Sequence, residues 1–191
     1  MHSLIIFASG AGSNANAIIE YFKKNGKAKV SLIVCNKAEA GVLNIAAREG
    51  IPTRVIDKTI FNGQALIDEL QSYKPSLIVL AGFLWKIPDG MIRAFSGKII
   101  NIHPALLPKY GGKGMYGHNV HDAVIAAHEK ESGITIHHVN EHYDEGNTIV
   151  QVKCSIKPND TPDTLAKKIH RLEHLYFPRV VGYLLAHATR L

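Results

Sequence analysis

The fold is indicated first by residues 4–14, which read LIIFASGAGSN. The apolar residues at the start predict a buried strand, and the glycine-rich turn leads into a helix over residues 14–24. A strand that passes through a glycine turn into a helix is typical of the first unit of a parallel α/β sheet. No basic region precedes the strand, so we interpret it as part of the fold and not as a signal peptide.

Strands and helices continue to alternate through the first half of the chain. Strands are predicted at residues 30–35, 53–56, 77–81 and 98–103, and helices at residues 41–49, 63–73 and 88–95. Residues 77–81 are entirely apolar, as expected for a strand whose two faces are both covered. The pattern predicts a Rossmann-like α/β fold, an open and mostly parallel sheet with helices on both faces.

The pattern changes in the second half. The predicted elements are a four-glycine loop at residues 108–117, a helix at residues 118–128, and strands at residues 134–139 and 148–155. The polar loop between these two strands predicts an antiparallel C-terminal hairpin. Thr161 and Pro162 begin a last helix, which we expect to kink or end at Pro178. Residues 1–191 contain no obvious linker or internal repeat and are interpreted as a single domain.

The composition is that of an ordinary globular protein, with 46% hydrophobic and 20% charged residues among 191. The longest apolar run, residues 77–84, is far shorter than the ~20 residues that a membrane helix needs. The two cysteines, Cys35 and Cys154, do not form a disulfide framework. We therefore expect a cytoplasmic protein that does not enter a membrane.

The formal net charge is +6, but the basic residues are scattered, with one dense group at residues 23–29. No basic stripe is interleaved with aromatic residues, which disfavours a nucleic-acid partner. A modest positive field suits small anionic ligands. We expect small-molecule substrates, and no oligomeric state is predicted.

Residues 9–14 form a candidate anion site at the end of the first strand. Gly10 and Gly12 allow a tight turn, the helix N-terminus offers free N–H groups, and Ser13 and Asn14 add donors for a phosphate. The alternative is a plain glycine turn with a capped helix. A nicotinamide enzyme would need an acid at the end of the second strand, where residues 35–37 read CNK.

A second candidate is the apolar segment that follows the buried fourth strand. Its members are Leu84, Trp85, Lys86 and Ile87. Large apolar side chains at a strand end can form a slot for a flat ring system. The alternative interpretation is plain core.

A third candidate is Asn101 and His103, which point to the same side because strand side chains alternate. An amide donor and an imidazole at a strand end can stabilise an oxyanion and move a proton. An acid would be needed to hold the imidazole and raise its pKa. Spacing alone leaves Glu141, Asp144 and Glu145 of the hairpin loop open for this role.

These residues resemble a known family. The GSN of residues 12–14, the NIHP of residues 101–104 and Asp144 in a hairpin loop are similar to the folate-dependent phosphoribosylglycinamide formyltransferases, over nearly the whole chain. The resemblance implies that the formyl group of 10-formyltetrahydrofolate, as co-substrate, is transferred to the amine of 5'-phosphoribosylglycinamide in de novo purine biosynthesis. It implies no metal.

The resemblance also implies site residues. The implied catalytic residues are Asn101, His103 and Asp144, with a protonated His103. The implied ribonucleotide site is Gly12, Ser13, Asn14, His170 and Glu173. The implied folate site is Leu84, Trp85, Lys86, Ile87, Asn101, Asn140, Glu141, His142 and Asp144. Trp85 and Gln64 stand where family members often carry arginine, so we expect recognition of the folate tail to differ.

Other patterns in the sequence suggest alternative interpretations. Residues 170–174 read HRLEH, a zinc-protease pattern, but no acidic residue follows to complete it. His118 and His121 lie one helical turn apart and are interpreted as a solvated helix face, whereas His137 is interpreted as a support for the site. The remaining alternatives are formyltetrahydrofolate hydrolase, the transfer-RNA formyltransferase, and a catalytically silent nucleotide-binding module.

Overall fold

The computed structural model describes residues 1–187, in which seven strands and seven helices are assigned. The strands are β1 (His2–Ala8), β2 (Ala28–Cys35), β3 (Thr53–Val55), β4 (Leu77–Leu80), β5 (Ile99–His103), β6 (Glu131–His138) and β7 (Thr148–Ser155). The helices are α1 (Ser13–Asn25), α2 (Gly41–Glu49), α3 (Lys58–Phe61), α4 (Gln64–Ser72), α5 (Asp89–Ala94), α6 (His118–Ala126) and α7 (Pro162–His187).

The strands form one sheet in the order β3-β2-β1-β4-β5-β6-β7. Strands β1 to β5 pair in parallel, whereas β5 with β6 and β6 with β7 pair in antiparallel fashion. The predicted Rossmann-like α/β fold and its C-terminal hairpin are confirmed. The strand order reverses direction between β1 and β4, which are neighbours at the centre of the sheet. In open α/β sheets, ligands bind at such a switch point, beyond the carboxyl ends of the strands.

Both faces of the sheet are covered, which explains the continuous apolar runs in its central strands. Alternate residues of β1 belong to two cores, with Leu4 and Ile6 on one face and Ile5 and Phe7 on the other. The first face packs against α1, α2, α6 and α7, and the second against α3, α4 and α5. This packing fixes the strand ends that carry the candidate site.

Helix α7 differs from the sequence-based expectation. The Thr161 hydroxyl accepts a hydrogen bond from the Thr164 N–H at 3.3 Å, so the predicted helix start is confirmed. Pro178 was expected to kink or end the helix; it does not end it, since the helix continues to His187. Phe177 and Val181 are fully buried on either side of the proline, and this packing compensates for the hydrogen bond that proline cannot donate.

Helix α3 was not predicted. It is only four residues long and is capped by Asp57, whose carboxylate accepts from the Ile60 N–H at 2.8 Å. Such a short helix carries no apolar period from which it could be recognised. Among residues 1–187, none of the helices is both long and apolar enough to cross a membrane.

Candidate active site

A cavity of about 660 Å³ opens at the carboxyl ends of β1, β4 and β5. Its wall also includes the turn between β1 and α1, the loop before α6, the loop between β6 and β7, and one side of α7. A cavity of this size holds small organic ligands. The three candidate regions predicted from the sequence, namely residues 9–14, residues 84–87 and the pair Asn101 and His103, therefore all line this one cavity.

The α1 end of the cavity is shaped by Gly12. This residue has φ 80 and precedes α1 without any side-chain cap. A Cβ at this position would lie 2.8 Å from Val42, so only glycine fits the turn. Glycine has no side chain to cap the helix, so the first N–H groups of α1 have neither an intrahelical nor a capping partner. Free N–H groups at a helix start favour an anion at this position. Gly12, Ser13 and Asn14 all line the cavity.

Asn14 joins this end to the last helix. Its Nδ2 donates to Glu173 Oε2 at 2.9 Å, and its Oδ1 is buried without a partner within the described residues. Glu173 is only 6% exposed and also lines the cavity. Burial raises the pKa of Glu173, and the hydrogen bond from Asn14 and the charge of His170 offset this only in part. Glu173 is thus a buried acceptor and not a solvated helix acid.

The predicted catalytic residues also meet in the cavity wall. His103 is 3% exposed, and its Nε2 lies 2.7 Å from the carbonyl oxygen of Tyr110. A carbonyl only accepts, so Nε2 carries the proton and donates. In the neutral ring this leaves Nδ1 unprotonated, 3.6 Å from Asp144 Oδ2.

Asp144 lies between two histidines at the tip of the hairpin loop. Its Oδ2 accepts from the Gly112 N–H at 2.9 Å, and its Oδ1 is 3.6 Å from His137 Nε2. Its φ of 57 is unusual for a residue with a side chain, and such strain recurs at functional sites. Burial raises the pKa of Asp144, but His137 and His103, each in its protonated form, together with the Gly112 N–H, outweigh it and lower the pKa below its ordinary value.

The expected pKa of His103 is wrong in direction. We expected a carboxylate to raise it, and Asp144 and the Tyr110 carbonyl do act in that sense. Burial acts more strongly, however, and the net pKa lies below the ordinary histidine value. His103 is consequently a neutral base at neutral pH.

Asn101 is oriented by the neighbouring strand. The pairing of β5 with β6 places His137 directly opposite it. His137 Nδ1 donates to the carbonyl of His138 at 2.8 Å, so its Nε2 accepts from Asn101 Nδ2 at 3.2 Å. One N–H of the amide remains for a ligand in the cavity. His137 lines the site, in the supporting position expected from the sequence.

The β4 end of the cavity is apolar. All four predicted residues of this segment lie in its wall, namely Leu84, Trp85, Lys86 and Ile87. Ile87 is 3% exposed and belongs to the core, whereas Leu84 is 41% exposed. The Trp85 ring packs against Phe61 with 5.3 Å between ring centroids, and Lys58 Nζ lies 3.9 Å above its centroid.

The hairpin loop closes one side of the cavity. Asn140, His142 and Asp144 line it as expected, together with Tyr143. Glu141 is exposed and is not among the residues that line the cavity, so the structure does not place its side chain in the folate site predicted from the sequence. Of the three acids that spacing left open, Asp144 is the one beside His103.

Several lining residues were not predicted, among them Lys37, Met115, Tyr116, His118 and His121. The interpretation of His118 and His121 as one solvated face is wrong for His121, which is 3% exposed. His118 is exposed and contacts Asp122 and Asp163 at 3.0 Å each. Within residues 1–187, no cluster of three or more His, Cys, Asp or Glu could hold a metal ion.

Comparison with known proteins is consistent with this geometry. The model of the formyl transferase family matches residues 2–181. The Arabidopsis thaliana chloroplastic phosphoribosylglycinamide formyltransferase is 41% identical over 186 residues, which are 94% of this chain and 64% of the plant protein. The Bacillus subtilis phosphoribosylglycinamide formyltransferase is 38% identical over 191 residues, which are 97% of this chain and 95% of that protein.

A solved structure is similar over the same extent. The phosphoribosylglycinamide formyltransferase of Coxiella burnetii superimposes with a TM-score of 0.86 at 37% identity. The match covers 97% of this chain and 87% of the Coxiella chain.

Proposed function

The chain belongs to the formyl transferase family, and on this premise we propose that it transfers the formyl group of 10-formyltetrahydrofolate to the amine of 5'-phosphoribosylglycinamide. The products are the N-formyl ribonucleotide and tetrahydrofolate, in de novo purine biosynthesis. Residues 1–191 act in this proposal as one formyltransferase domain. Its substrates are small molecules, and it requires no metal.

One observation carries the proposal. A single cavity unites the helix N-terminus at Gly12 and the buried acceptor Glu173 with an amide, an imidazole and a carboxylate at its centre. A phosphorylated sugar fits the first pair, since N–H groups bind phosphate and a carboxylate accepts from hydroxyls. An amine attached to that sugar would then lie near Asn101 and His103.

The opposite end of the cavity suits the folate. Trp85, Ile87 and the loop residue Tyr143 provide apolar and aromatic surface for a flat pterin ring. The folate would supply the formyl group. Lys86 and Lys58 are cations near this opening, and they are candidates to face the anionic tail in place of the family's arginines.

Asn101 supports the transition state. As the amine attacks the formyl carbon, negative charge develops on the formyl oxygen, and a preorganised amide N–H stabilises such charge. His137 holds Asn101 Nδ2 at 3.2 Å and so fixes the direction of its second N–H. The orientation is set before the substrates bind.

His103 moves the proton. Its Nε2 is bound to the Tyr110 carbonyl, so Nδ1 is the position that can accept a proton from the attacking amine. Asp144 at 3.6 Å stabilises the imidazolium that results, and the proton then passes to the leaving nitrogen. This differs from the role expected from the sequence, in which His103 is protonated from the start.

The experiment is an assay of the purified protein with 10-formyltetrahydrofolate and 5'-phosphoribosylglycinamide, following both products. We expect formyl transfer that is unaffected by chelators. His103→Asn, which lacks a base at this position, serves as the inactive control for contaminating enzymes.

Other outcomes would assign another activity. Release of formate without any acceptor amine would indicate the hydrolase, and formylation of methionyl transfer RNA would indicate that transferase. Binding of the ribonucleotide without turnover would indicate a silent nucleotide-binding module. Loss of activity on chelation that zinc restores would refute the metal-free mechanism.

A further inference from the structure

The turn at residues 110–112 contacts both His103 and Asp144. The carbonyl oxygen of Tyr110 accepts from His103 Nε2 at 2.7 Å, and the N–H of Gly112 donates to Asp144 Oδ2 at 2.9 Å. The first bond sets the tautomer of the imidazole, and the second sets the position of the carboxylate beside it. The geometry of the proton transfer therefore depends on where this one turn lies.

The backbone of this turn lies in the loop between β5 and α6 and belongs to neither element. Tyr110 has φ 57 and Gly112 has φ 93. The left-handed region is uncommon for a tyrosine and persists only where the surroundings hold it. A Cβ at Gly111 would lie 3.3 Å from Asp144 Cβ, so the turn also packs closely against this residue. Something outside the turn has to fix it in this conformation.

The side chain of Tyr110 provides such an anchor. Its hydroxyl donates to Glu129 Oε1 at 2.9 Å, and the same oxygen accepts from Lys109 Nζ at 2.8 Å. Glu129 follows the end of α6, and its own N–H donates to the carbonyl of Val124 in that helix. The Tyr110 ring is partly buried and packs against the core on this face of the sheet. The turn is thus tied to the end of α6.

The acceptor of this anchor is ionised. Lys109 and then Tyr110 hold the pKa of the Glu129 carboxyl below its ordinary value. Hydrogen bonds to a charged acceptor are stronger than those between neutral groups. Tyr110, Lys109 and Glu129 are not among the residues that line the cavity, so they can affect the reaction only through the turn.

We propose that Tyr110 is a positioning residue, whose hydroxyl bond to Glu129 holds the turn that orients His103 and Asp144 for formyl transfer. The inference rests on the proposed function for the reaction itself, but the bond from His103 to the turn exists without any substrate. Tyr110 and Glu129 act through a single bond, and Lys109 keeps the acceptor charged.

Steady-state kinetics of Tyr110→Phe, Glu129→Ala and the double variant test this bond. Each single variant should lower kcat about ten-fold or more and leave both KM values unchanged, because small displacements of reacting groups are costly. The double variant should lose no more than either single variant, since all three lack the same bond. Glu129→Gln, whose amide oxygen can still accept from Tyr110, should recover most of the activity.

The matched control is Glu131→Ala. Glu131 is a nearby acid that is also bound to a lysine, Lys153, but it is exposed and does not line the cavity. This variant should have the kcat and KM values of the unmodified protein. A loss equal to that of Glu129→Ala would overturn the proposal, because it would reflect the removal of any acid from this surface.

The tautomer of His103 gives a second measurement, which needs no substrate and which a merely stabilising bond would not change. Nitrogen NMR of histidine-labelled protein should show His103 as the Nε2–H tautomer alone, its signals being assigned by their loss in His103→Asn. Tyr110→Phe and Glu129→Ala should each show a mixture of the two tautomers. If Tyr110→Phe does not fold, Glu129→Ala decides, because it breaks the same bond from the other side.

A single Nε2–H tautomer in all variants would overturn the proposal, as would near-normal kcat in both single variants. Losses that multiply in the double variant would also overturn it, since the two residues would then act separately. A mixture of tautomers in Tyr110→Phe, from an unmodified protein that transfers no formyl group, would refute the proposed function and still support the positioning of His103. Normal formyl transfer by Tyr110→Phe and Glu129→Ala would refute the positioning role alone.

Discussion

At the α1 end of the cavity, buried polar side chains are already bonded to each other, whereas the β4 end is walled by aromatic and aliphatic groups. Asn14 and Glu173 hold one another at 2.9 Å, and Glu173 is 6% exposed. Leu84 and Tyr143, in contrast, are 41% and 42% exposed. Directional bonds in a preformed polar site give specificity, while exposed apolar surface gives affinity with looser geometry. The two ends should therefore respond differently to substitution.

The centre, where the two ends meet, should show the largest effect. Asp144→Asn retains the shape of the loop but cannot stabilise a protonated His103, so kcat should fall by about 10²–10⁴-fold while both KM values change little. Steady-state kinetics with each substrate varied in turn provide the measurement. Glu145→Gln, an exposed neighbour in the same loop, is the control. Near-normal kcat in Asp144→Asn would remove Asp144 from the mechanism.

The pH profile sharpens the same test. Asp144 raises the pKa of His103 against the stronger effect of burial, so its neutralisation should lower that pKa further. In the proposed mechanism the neutral form of His103 is the active one, so the acid limb of kcat/KM should move to lower pH in Asp144→Asn. A limb that stays in place or moves to higher pH would contradict the assignment of His103.

The α1 end is tested by Glu173→Ala. Loss of an ionised acceptor should raise KM for the ribonucleotide by roughly ten-fold or more, since hydrogen bonds to charged groups are each worth about 1.5–3 kcal/mol. KM for the folate should hardly change. Glu20→Ala, on the solvent side of α1, serves as control. Equal weakening of both substrates would contradict the separation of the two ends.

The β4 end is tested by Trp85→Ala. The half-buried indole contributes apolar surface worth about 1 kcal/mol to a ring stacked against it, so KM for the folate should rise roughly five-fold. KM for the ribonucleotide should remain unchanged, and Trp85→Phe should restore most of the folate affinity. A larger effect on the ribonucleotide than on the folate would reverse the comparison.

The smallest expected effect concerns stability. The pKa of Glu173 is raised by folding, so the folded state binds the proton more tightly, and this stabilisation is lost as the pH rises through the folded-state pKa. Glu173→Gln keeps an acceptor for Asn14 without the charge. The empty variant should therefore melt about 2–4 °C higher at neutral pH, equivalent to roughly 1 kcal/mol, and the difference should vanish in acid. Thermal melts across the pH range provide the measurement. A lower melting temperature for Glu173→Gln at neutral pH would contradict the conclusion that burial destabilises the charged form of Glu173.

Sequence periodicity predicted those parts of the site that depend on local geometry. Alternation of side chains along β5 places Asn101 and His103 on the same side of the strand. The turn between β1 and α1 is set by a few consecutive residues around Gly12. These features follow from backbone geometry over short stretches, so the pattern alone carries them. The prediction that the strand ends share one edge follows from the parallel order of the sheet.

The features of the site that could not be predicted from the sequence depend on contacts between distant parts of the chain. The burial of His121 results from the packing of α6 against α7, and no spacing within α6 distinguishes it from the exposed His118. The pKa of His103 required a balance between burial and Asp144, which spacing cannot weigh. The passage of α7 through Pro178 depends likewise on the core that receives Phe177.

The bond between Asn14 and Glu173 has a consequence for biosynthesis on the ribosome. Its partners are separated by 159 residues, so the first helix can form early while the acceptor that completes this end of the cavity is still unsynthesised. A nascent chain that stops before α7 would contain Gly12, Asn101, His103 and Asp144 but would lack Glu173. In the proposed function, the ribonucleotide site is therefore completed last, when α7 docks against α1.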